Sequence, residues 1–262
     1  MNFDLKNTSV MLAVKREKLL LFKTPDFLSQ LFLFLFIFSL AAVFFSFFGY
    51  FSSYLAIKLS VLSLTLCFIF WDISLFKNLK IKRPEPPFEL SQAILDLDNY
   101  NLAEFLSFDS AKMAKAAAAF CKKRKIPVNS TALFYYAVKA SKDISIISFR
   151  LGLDIKKLQD DLKNCLEKTC KHEGAELFSE DFEKVIIESA TVANKRGHKT
   201  IGEKEILVAL AKHDGFFKKV LMDYDLKEID VENITLLLDS AEDSLERNRK
   251  FFAEIASIFA II

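Results

Sequence analysis

Two glycines and a lysine give the stretch GHKTIGEKEILVAL (residues 197–210) the outline of a phosphate-binding loop. Such a loop reads G-x-x-x-x-G-K-[S/T] between a strand and a helix; its lysine contacts phosphate and its hydroxyl binds magnesium. Here Glu203 and Lys204 follow Gly202, and no hydroxyl residue follows the lysine. The segment before the first glycine has the periodicity of an amphipathic helix rather than a strand. We therefore predict that these 262 residues contain no nucleotide-binding motif and that the chain is not an enzyme.

Other residues capable of chemistry are few and scattered. The three histidines, His172, His198 and His213, accompany no recognisable nucleophile motif. Cys165, Cys170 and His172 lie close together, but a zinc site wants four ligands and the fourth would have to be the distant Cys121. We predict no catalytic residue, no metal site and no cofactor.

A long apolar segment dominates the first third of the chain. Thirteen of the 28 phenylalanines lie between Phe27 and Phe76, and no charged residue occurs from Phe27 to Ile57. A membrane span needs about 20 apolar residues. The segment is therefore long enough for two spans, which we place at 28–48 and 54–76, joined by a tight turn at GYFSSY.

Charge on either side of this hairpin predicts its orientation. Lys15, Arg16, Lys18 and Lys23 precede the first span, and Lys77, Lys80, Lys82 and Arg83 follow the second, whereas the turn carries neither lysine nor arginine. Positive flanks face the cytoplasm in membrane proteins. The sequence thus predicts a protein of the inner or plasma membrane with two spans and with both termini and the following domain in the cytoplasm.

The remaining residues, 77–262, have a balanced composition with 30 basic and 30 acidic residues. Nucleic-acid-binding domains usually carry a basic surplus, so we predict no nucleic-acid partner. The stretch KIKRPEPPFEL opens this part, and its three prolines in four positions indicate a stiff, extended spacer.

Beyond the spacer the apolar pattern is helical and repeats with an offset of 73 residues. Leu133 and Phe134, for example, correspond to Ile206 and Leu207 without a gap. A duplication at such a period indicates paired modules with a shared core. We predict an all-α protein in which a two-helix transmembrane hairpin precedes two pseudo-symmetric four-helix units, at 105–170 and 178–244.

The second repeat resembles the N-terminal repeat domain of the Clp family of AAA+ protein unfoldases. That family's repeats typically read A-x-x-x-G-H-x-x-[IV]-G-T-E-H-[IL]-L-L-[GA]-L. The matching residues here are Ala193, Gly197, His198, Ile201, Gly202, Ile206, Leu207 and Leu210. The resemblance extends over about 105–244 and is weaker in the first repeat. It implies a double four-helix Clp-repeat fold that binds substrate proteins and adaptors and passes them to an ATPase.

The chain also departs from that family. Some members bind phosphorylated arginine through the glutamate of G-T-E-H, but Lys204 stands at that position in the second repeat and Thr131 in the first. A lysine does not pair with a guanidinium group. The candidate residues of the repeat motif or of a binding surface are Gly197, His198, Ile201, Gly202, Lys204, Ile206, Leu207, Thr131 and Phe134.

We predict five segments: a cytoplasmic N-terminal arm (1–26), the hairpin (27–76), a proline-rich linker (77–88), the Clp double-repeat domain (89–244) and an apolar C-terminal helix or the start of another domain (245–262). The favoured function is a membrane-anchored, bacterial module that binds substrates or adaptors for a Clp ATPase, in cis or in trans. The alternative is a structural or regulatory membrane protein whose helical domain self-associates or signals. The expected partners are substrate proteins or adaptors, the Clp ATPase and the lipid bilayer.

Overall fold

Twelve α-helices make up most of the residues that the structure describes. The computed structural model describes residues 2–17, 19, 24–46, 53–81, 84–168 and 177–259. Within them, extended segments pair only at two isolated parallel bridges, Leu106 with Ile201 and Val128 with Phe178. The predicted all-α class is confirmed. The chain divides into two units, one formed by Lys6–Glu85 and the other by Met1–Leu5 together with Pro86–Ile262.

The unit Lys6–Glu85 contains the two predicted apolar helices. It consists of α1 (Ser9–Glu17), α2 (Pro25–Ser46), α3 (Ser53–Phe76) and a π-helical turn (Lys77–Ile81). Pro25 begins α2 at the first helical position, where its missing N–H is no loss. Most of the predicted turn, GYFSSY, lies outside the described residues. Two segments, Pro25–Phe45 and Tyr54–Lys80, are long and apolar enough to cross a membrane, by length and composition.

Several of the side chains buried in α2 and α3 are small and polar. Ser39, Ser60 and Ser63 are buried, and their hydroxyls donate to carbonyls of their own helices at 2.8 to 3.0 Å. Small residues let two helices approach closely. The rings of Phe32 and Phe70 stack across the pair with centroids 5.5 Å apart. Most large apolar side chains of both helices, Phe34, Phe38, Leu55 and Leu62 among them, are exposed.

Among its described residues, the other unit contains nine helices and a short 3₁₀ turn. The helices are α4 (Leu90–Leu95), α5 (Phe108–Arg124), α6 (Ser130–Ala140), α7 (Lys142–Arg150), α8 (Ile155–Lys168), α9 (Glu180–Lys195), α10 (Glu203–His213), α11 (Gly215–Asp223) and α12 (Glu228–Phe259). The 3₁₀ turn spans Leu102–Phe105. We call this unit the helical domain.

The helix boundaries reproduce the 73-residue offset of the sequence. Helices α6 and α10 start 73 residues apart, and so do α7 and α11, and α8 and α12. The left-handed residues Gly152 (φ +75°) and Asp225 (φ +54°) are also 73 apart. The repeats differ at their ends, because α12 has 32 residues and its counterpart α8 has 14.

The core of the helical domain is shared by the two repeats. Leu133 and Phe134 of α6 are fully buried, as are their counterparts Ile206 and Leu207 of α10. The ring of Phe134 lies 4.3 Å, centroid to centroid, from that of Phe217 in α11 of the other repeat. Apolar residues of both sequence repeats therefore fill one core, as expected where repeated modules stack.

Candidate functional site

The stretch GHKTIGEKEILVAL (residues 197–210) contains the end of one helix and the start of the next. Helix α9 ends at Lys195, and Gly197 adopts a left-handed conformation with φ +74°, which glycine adopts without steric cost. The chain then enters the core at Ile201, whose N–H donates to the carbonyl of Phe105 at 2.6 Å. Ser107 N–H donates to the carbonyl of Ile201 at 2.9 Å. These two bonds tie the second repeat to the first.

Gly202 is the N-cap of α10, and its lack of a side chain leaves room for the carboxylate of Glu205. Glu205 Oε2 accepts a hydrogen bond from the Gly202 N–H at 2.8 Å, in the manner of a capping box. A Cβ atom at Gly202 would lie 2.5 Å from that oxygen. The second glycine of the motif thus serves the cap of α10.

Lys204 is buried in an ion-pair network between α10 and α12. Its Nζ lies 2.8 Å from Asp239 Oδ1 and 2.8 Å from Glu242 Oε2, and only 9% of its side chain is exposed. Burial disfavours a charged amine, but the hydrogen bonds to these two carboxylates outweigh it and raise the pKa of Lys204. The lysine is therefore charged and holds α12 against α10.

Arg196 joins the same network from the end of α9. Its Nη1 lies 3.0 Å from Asp239 Oδ2 and 3.5 Å from Glu205 Oε1, and its Nη2 donates to Thr235 Oγ1 at 2.7 Å. Asp239 thus accepts hydrogen bonds from cations of two different helix ends. One carboxylate of α12 thus holds the end of α9 and the start of α10, which lie 43 and 35 residues before it in sequence.

His198 completes the cluster, with Nδ1 3.0 Å from Glu205 Oε1. The hydrogen bond to Glu205 raises the pKa of His198. Burial opposes the charged form of Glu205, but the hydrogen bond and charge of His198 lower its pKa overall. Ligand atoms of His198, Glu205 and Asp239 lie within 4.8 Å of one another. Both carboxylates already face Arg196, and Asp239 also faces Lys204. Because these cationic side chains already neutralise the carboxylates, we assign no metal here.

A second polar cluster links the repeats across their pseudo-twofold relation. Ser130 Oγ donates to Asp214 Oδ2 at 2.6 Å, and Ser141 Oγ donates to Glu203 Oε2 at 2.6 Å. The two pairs are equivalent under the 73-residue offset, each joining the start of α6 or α10 to the N-cap of the helix after its counterpart. Thr131 Oγ1 also donates to Asp214 Oδ2, at 2.9 Å. Burial raises the pKa of Glu203 despite its bond to Ser141.

The structure distributes the candidate residues over different roles. Ile201, Ile206, Leu207 and Phe134 are fully buried core residues, so they shape the scaffold beneath a surface. Gly197 and Gly202 set backbone geometry, and Lys204 and Thr131 have intramolecular partners. Of the set, Gly197 and His198 are exposed. Cys170 and His172 lie outside the described residues.

Several large apolar side chains of α7, α11 and α12 are exposed, and the repeat motif does not include them. Phe149 in α7 is 76% exposed, and its counterpart Met222 in α11 is 74% exposed. Helix α7 packs against α12, and these two helices also expose Ile146, Leu236 and Leu237. We call Ile146, Phe149, Leu236 and Leu237 the α7–α12 apolar face.

Comparison with known proteins finds a family model that matches part of the helical domain. Residues 142–244 match the model of the Clp repeat (R) N-terminal domain. No similar sequence was found among curated proteins.

Solved structures of three N-terminal domains are similar to about half of this chain. The N-terminal domain of the ClpV1 ATPase from the Escherichia coli EAEC Sci1 type VI secretion system is 16% identical, with a TM-score of 0.46, over 53% of this chain and 88% of that one. The Hsp104 domain from Candida albicans is 11% identical, with a TM-score of 0.46, over 51% and 91%. The ClpV domain from Vibrio cholerae is 14% identical, with a TM-score of 0.43, over 56% and 86%. Residues 142–244 are thus similar to a Clp repeat (R) N-terminal domain.

Proposed function

We propose that this chain is a membrane-anchored module that binds substrate proteins or adaptors for a Clp-type ATPase. The observation that carries the proposal is the match of residues 142–244, α7 to α12, to the Clp repeat domain. A domain of this kind acts by binding, and its partners are proteins. The ATPase is supplied in cis by a longer chain or in trans by a separate subunit.

The chemistry of the proposed binding surface is apolar. Phe149 and Leu237 of the α7–α12 apolar face expose 76% and 61% of their surface. Exposed apolar groups that lie together are typical of protein-binding sites, and we propose that those of the packed helices α7 and α12 form one such site. An unfolded or partly folded substrate exposes apolar segments that such a face would cover. The ion pairs of Lys204 and Arg196 fix the position of α12, which carries Leu236 and Leu237.

Membrane anchoring is supported by the distribution of side chains in α2 and α3. Large apolar residues such as Phe34 and Phe38 are exposed, while Ser60 and Ser63 are buried between the helices. In water this arrangement would expose a wide apolar surface to solvent. In lipid the acyl chains would cover that surface, and the serine hydroxyls keep their hydrogen bonds within the helices. We propose a two-span anchor in the inner or plasma membrane.

The proposed orientation places both ends of the hairpin in the cytoplasm. Asp26 at the start of α2 pairs with Lys77 just after α3 at 2.9 Å, so the charged ends of the two helices are adjacent. The basic residues of α1 and of the turn 77–81 flank the same end of the hairpin, as expected for a cytoplasmic side.

A pull-down with purified components tests this function. The full chain in detergent should retain a Clp-type ATPase, an unfolded model protein, or both. The double variant Phe149→Ser/Leu237→Ser should lose the unfolded protein, while Leu95→Ser, at a site that is 88% exposed on α4, should bind as well as the unmodified chain. Retention of neither partner would contradict the proposal, and self-association without partner binding would favour a structural or regulatory role. A chain that leaves the membrane on alkaline carbonate washing would contradict the anchor.

A further inference from the structure

The first residues of the chain belong to the helical domain, although the whole of α1 to α3 separates them from it in sequence. The unit that contains Pro86–Ile262 also contains Met1–Leu5. Asn2 N–H donates to the carbonyl of Leu97 at 3.0 Å, and Leu102 N–H donates to the carbonyl of Asn2 at 3.2 Å. Residue 2 therefore pairs through both of its backbone groups with the segment that follows α4.

The side chain of Asn101 binds the backbone of Asp4, two residues further along the N-terminal segment. Its Oδ1 accepts from Asp4 N–H at 2.9 Å, and its Nδ2 donates to the carbonyl of Asp4 at 2.8 Å. The same Oδ1 accepts from Ala103 N–H at 3.1 Å and so caps the 3₁₀ turn Leu102–Phe105. One asparagine thus joins the N-terminal residues to a structural element of the helical domain.

Phe3 anchors the segment in an aromatic cluster at the start of the second repeat. Its ring is edge-on to Phe178 at 5.3 Å and to Phe182 at 5.4 Å, centroid to centroid, and it is only 7% exposed. Phe182 is fully buried in α9. Edge-to-face pairs at these distances are favourable beyond the apolar area they bury. A side chain fixed in this way is part of the core and not of a loose arm.

From these contacts we infer that residues 2–5 are an N-terminal strap of the helical domain, and that residues 6–85 are an insertion within one folded domain. An insertion whose two ends join the same domain enters and leaves a bilayer through the same face. The number of crossings between Leu5 and Pro86 is therefore even, whatever the direction of the flanking charges. This inference does not depend on what the helical domain binds, and a failed pull-down would leave it intact.

Cysteine labelling of the full chain in sealed vesicles tests the topology. Single cysteines are placed at Asn2 and at Lys142, which is exposed at the start of α7, in a chain whose native cysteines are replaced. A membrane-impermeant thiol reagent should label both positions in inside-out vesicles and neither in right-side-out vesicles, and both in either case after detergent. Labelling of the two positions from opposite faces would overturn the inference.

The stability of the detergent-solubilised full chain tests the strap itself. Phe3→Ala removes the aromatic anchor and should lower the melting temperature of the helical domain by roughly 5–10 °C, whereas Phe3→Leu should recover most of that loss. The matched control Leu95→Ala, on exposed surface, should change it by about 1 °C or less. Equal melting temperatures for Phe3→Ala and Leu95→Ala would show that the strap is not part of the fold.

Discussion

Reversing the charge of Lys204 is the sharpest perturbation of the helical domain. In Lys204→Glu a carboxylate replaces the buried ammonium group that lies 2.8 Å from both Asp239 and Glu242. Three carboxylates then meet at the contact of α10 with α12, and Arg196 alone remains to balance Asp239. The substitution also introduces the glutamate of the G-T-E-H pattern at this position. A loss of stability would show that Lys204 is needed by its own ion pairs even though the pattern has a glutamate there.

The magnitude follows from burial. Breaking a buried ion pair by removing one partner costs about 3–5 kcal/mol. Glu242 is 59% exposed, so its share is small, and the loss comes mainly from Asp239, whose side chain is 18% exposed. We expect Lys204→Glu to lower the free energy of unfolding by about 3–4 kcal/mol. For a domain of this size that corresponds to about 6–16 °C in melting temperature.

Urea denaturation followed by circular dichroism measures this effect, with the double cycle of Lys204→Ala and Asp239→Ala isolating the pair. The matched control is Lys184→Glu, because Lys184 makes an exposed i,i+4 pair with Glu180 and its loss should cost about 0.5 kcal/mol or less. If Lys204→Glu is no more destabilising than Lys184→Glu, the network does not hold α12 on α10.

Three further predictions concern pH, the core and the hairpin. The hydrogen bond to Glu205 raises the pKa of His198 above its ordinary value of 6.5. The stabilising contribution of His198 is therefore complete below pH 6.5 and is lost as the pH rises through the raised pKa. The melting temperature should fall over that pH window, and His198→Gln should remove this part of the pH dependence. Phe134→Ala empties a fully buried site and should cost about 3–5 kcal/mol in urea denaturation, where a loss below 1 kcal/mol would contradict a shared core. Ser63→Leu places a large side chain where a buried serine lies between α2 and α3 and should lower the detergent melting temperature of the hairpin, while Thr65→Leu on the exposed side should not.

The sequence was most informative where periodicity governs structure. The absence of charge from Phe27 to Ile57 predicted two long apolar helices, and both are present. The 73-residue offset predicted two similar helical units, because apolar residues at helical spacing recur at equal intervals. Gly197 and Gly202 were recognised as backbone residues from the failure of the lysine and hydroxyl positions to fit a phosphate-binding loop.

The sequence did not reveal contacts that depend on tertiary arrangement. Ser130 and Asp214 are 84 residues apart, and each looks like an ordinary helix cap in isolation. Lys204 and Asp239 meet only because α12 returns to α10. The residues of the N-terminal strap precede 80 residues of a different unit, so no local pattern assigns them to the helical domain.

The repeat motif also does not identify side chains that lie on the surface of the helical domain. The motif residues Ile201, Ile206 and Leu207 fill the core, so the motif reports burial and not surface chemistry. Phe149 and Met222 could have been noticed as apolar residues at equivalent positions, but only the structure shows that both are exposed.

The most direct test of the proposed function is a binding titration on the full chain in lipid vesicles. A fluorescently labelled unfolded protein should bind saturably, and Phe149→Ser/Leu237→Ser should weaken that binding at least tenfold, while Leu95→Ser leaves it unchanged. Absence of saturable binding, or equal binding by all three chains, would contradict the account of this protein as a membrane-anchored substrate-binding module.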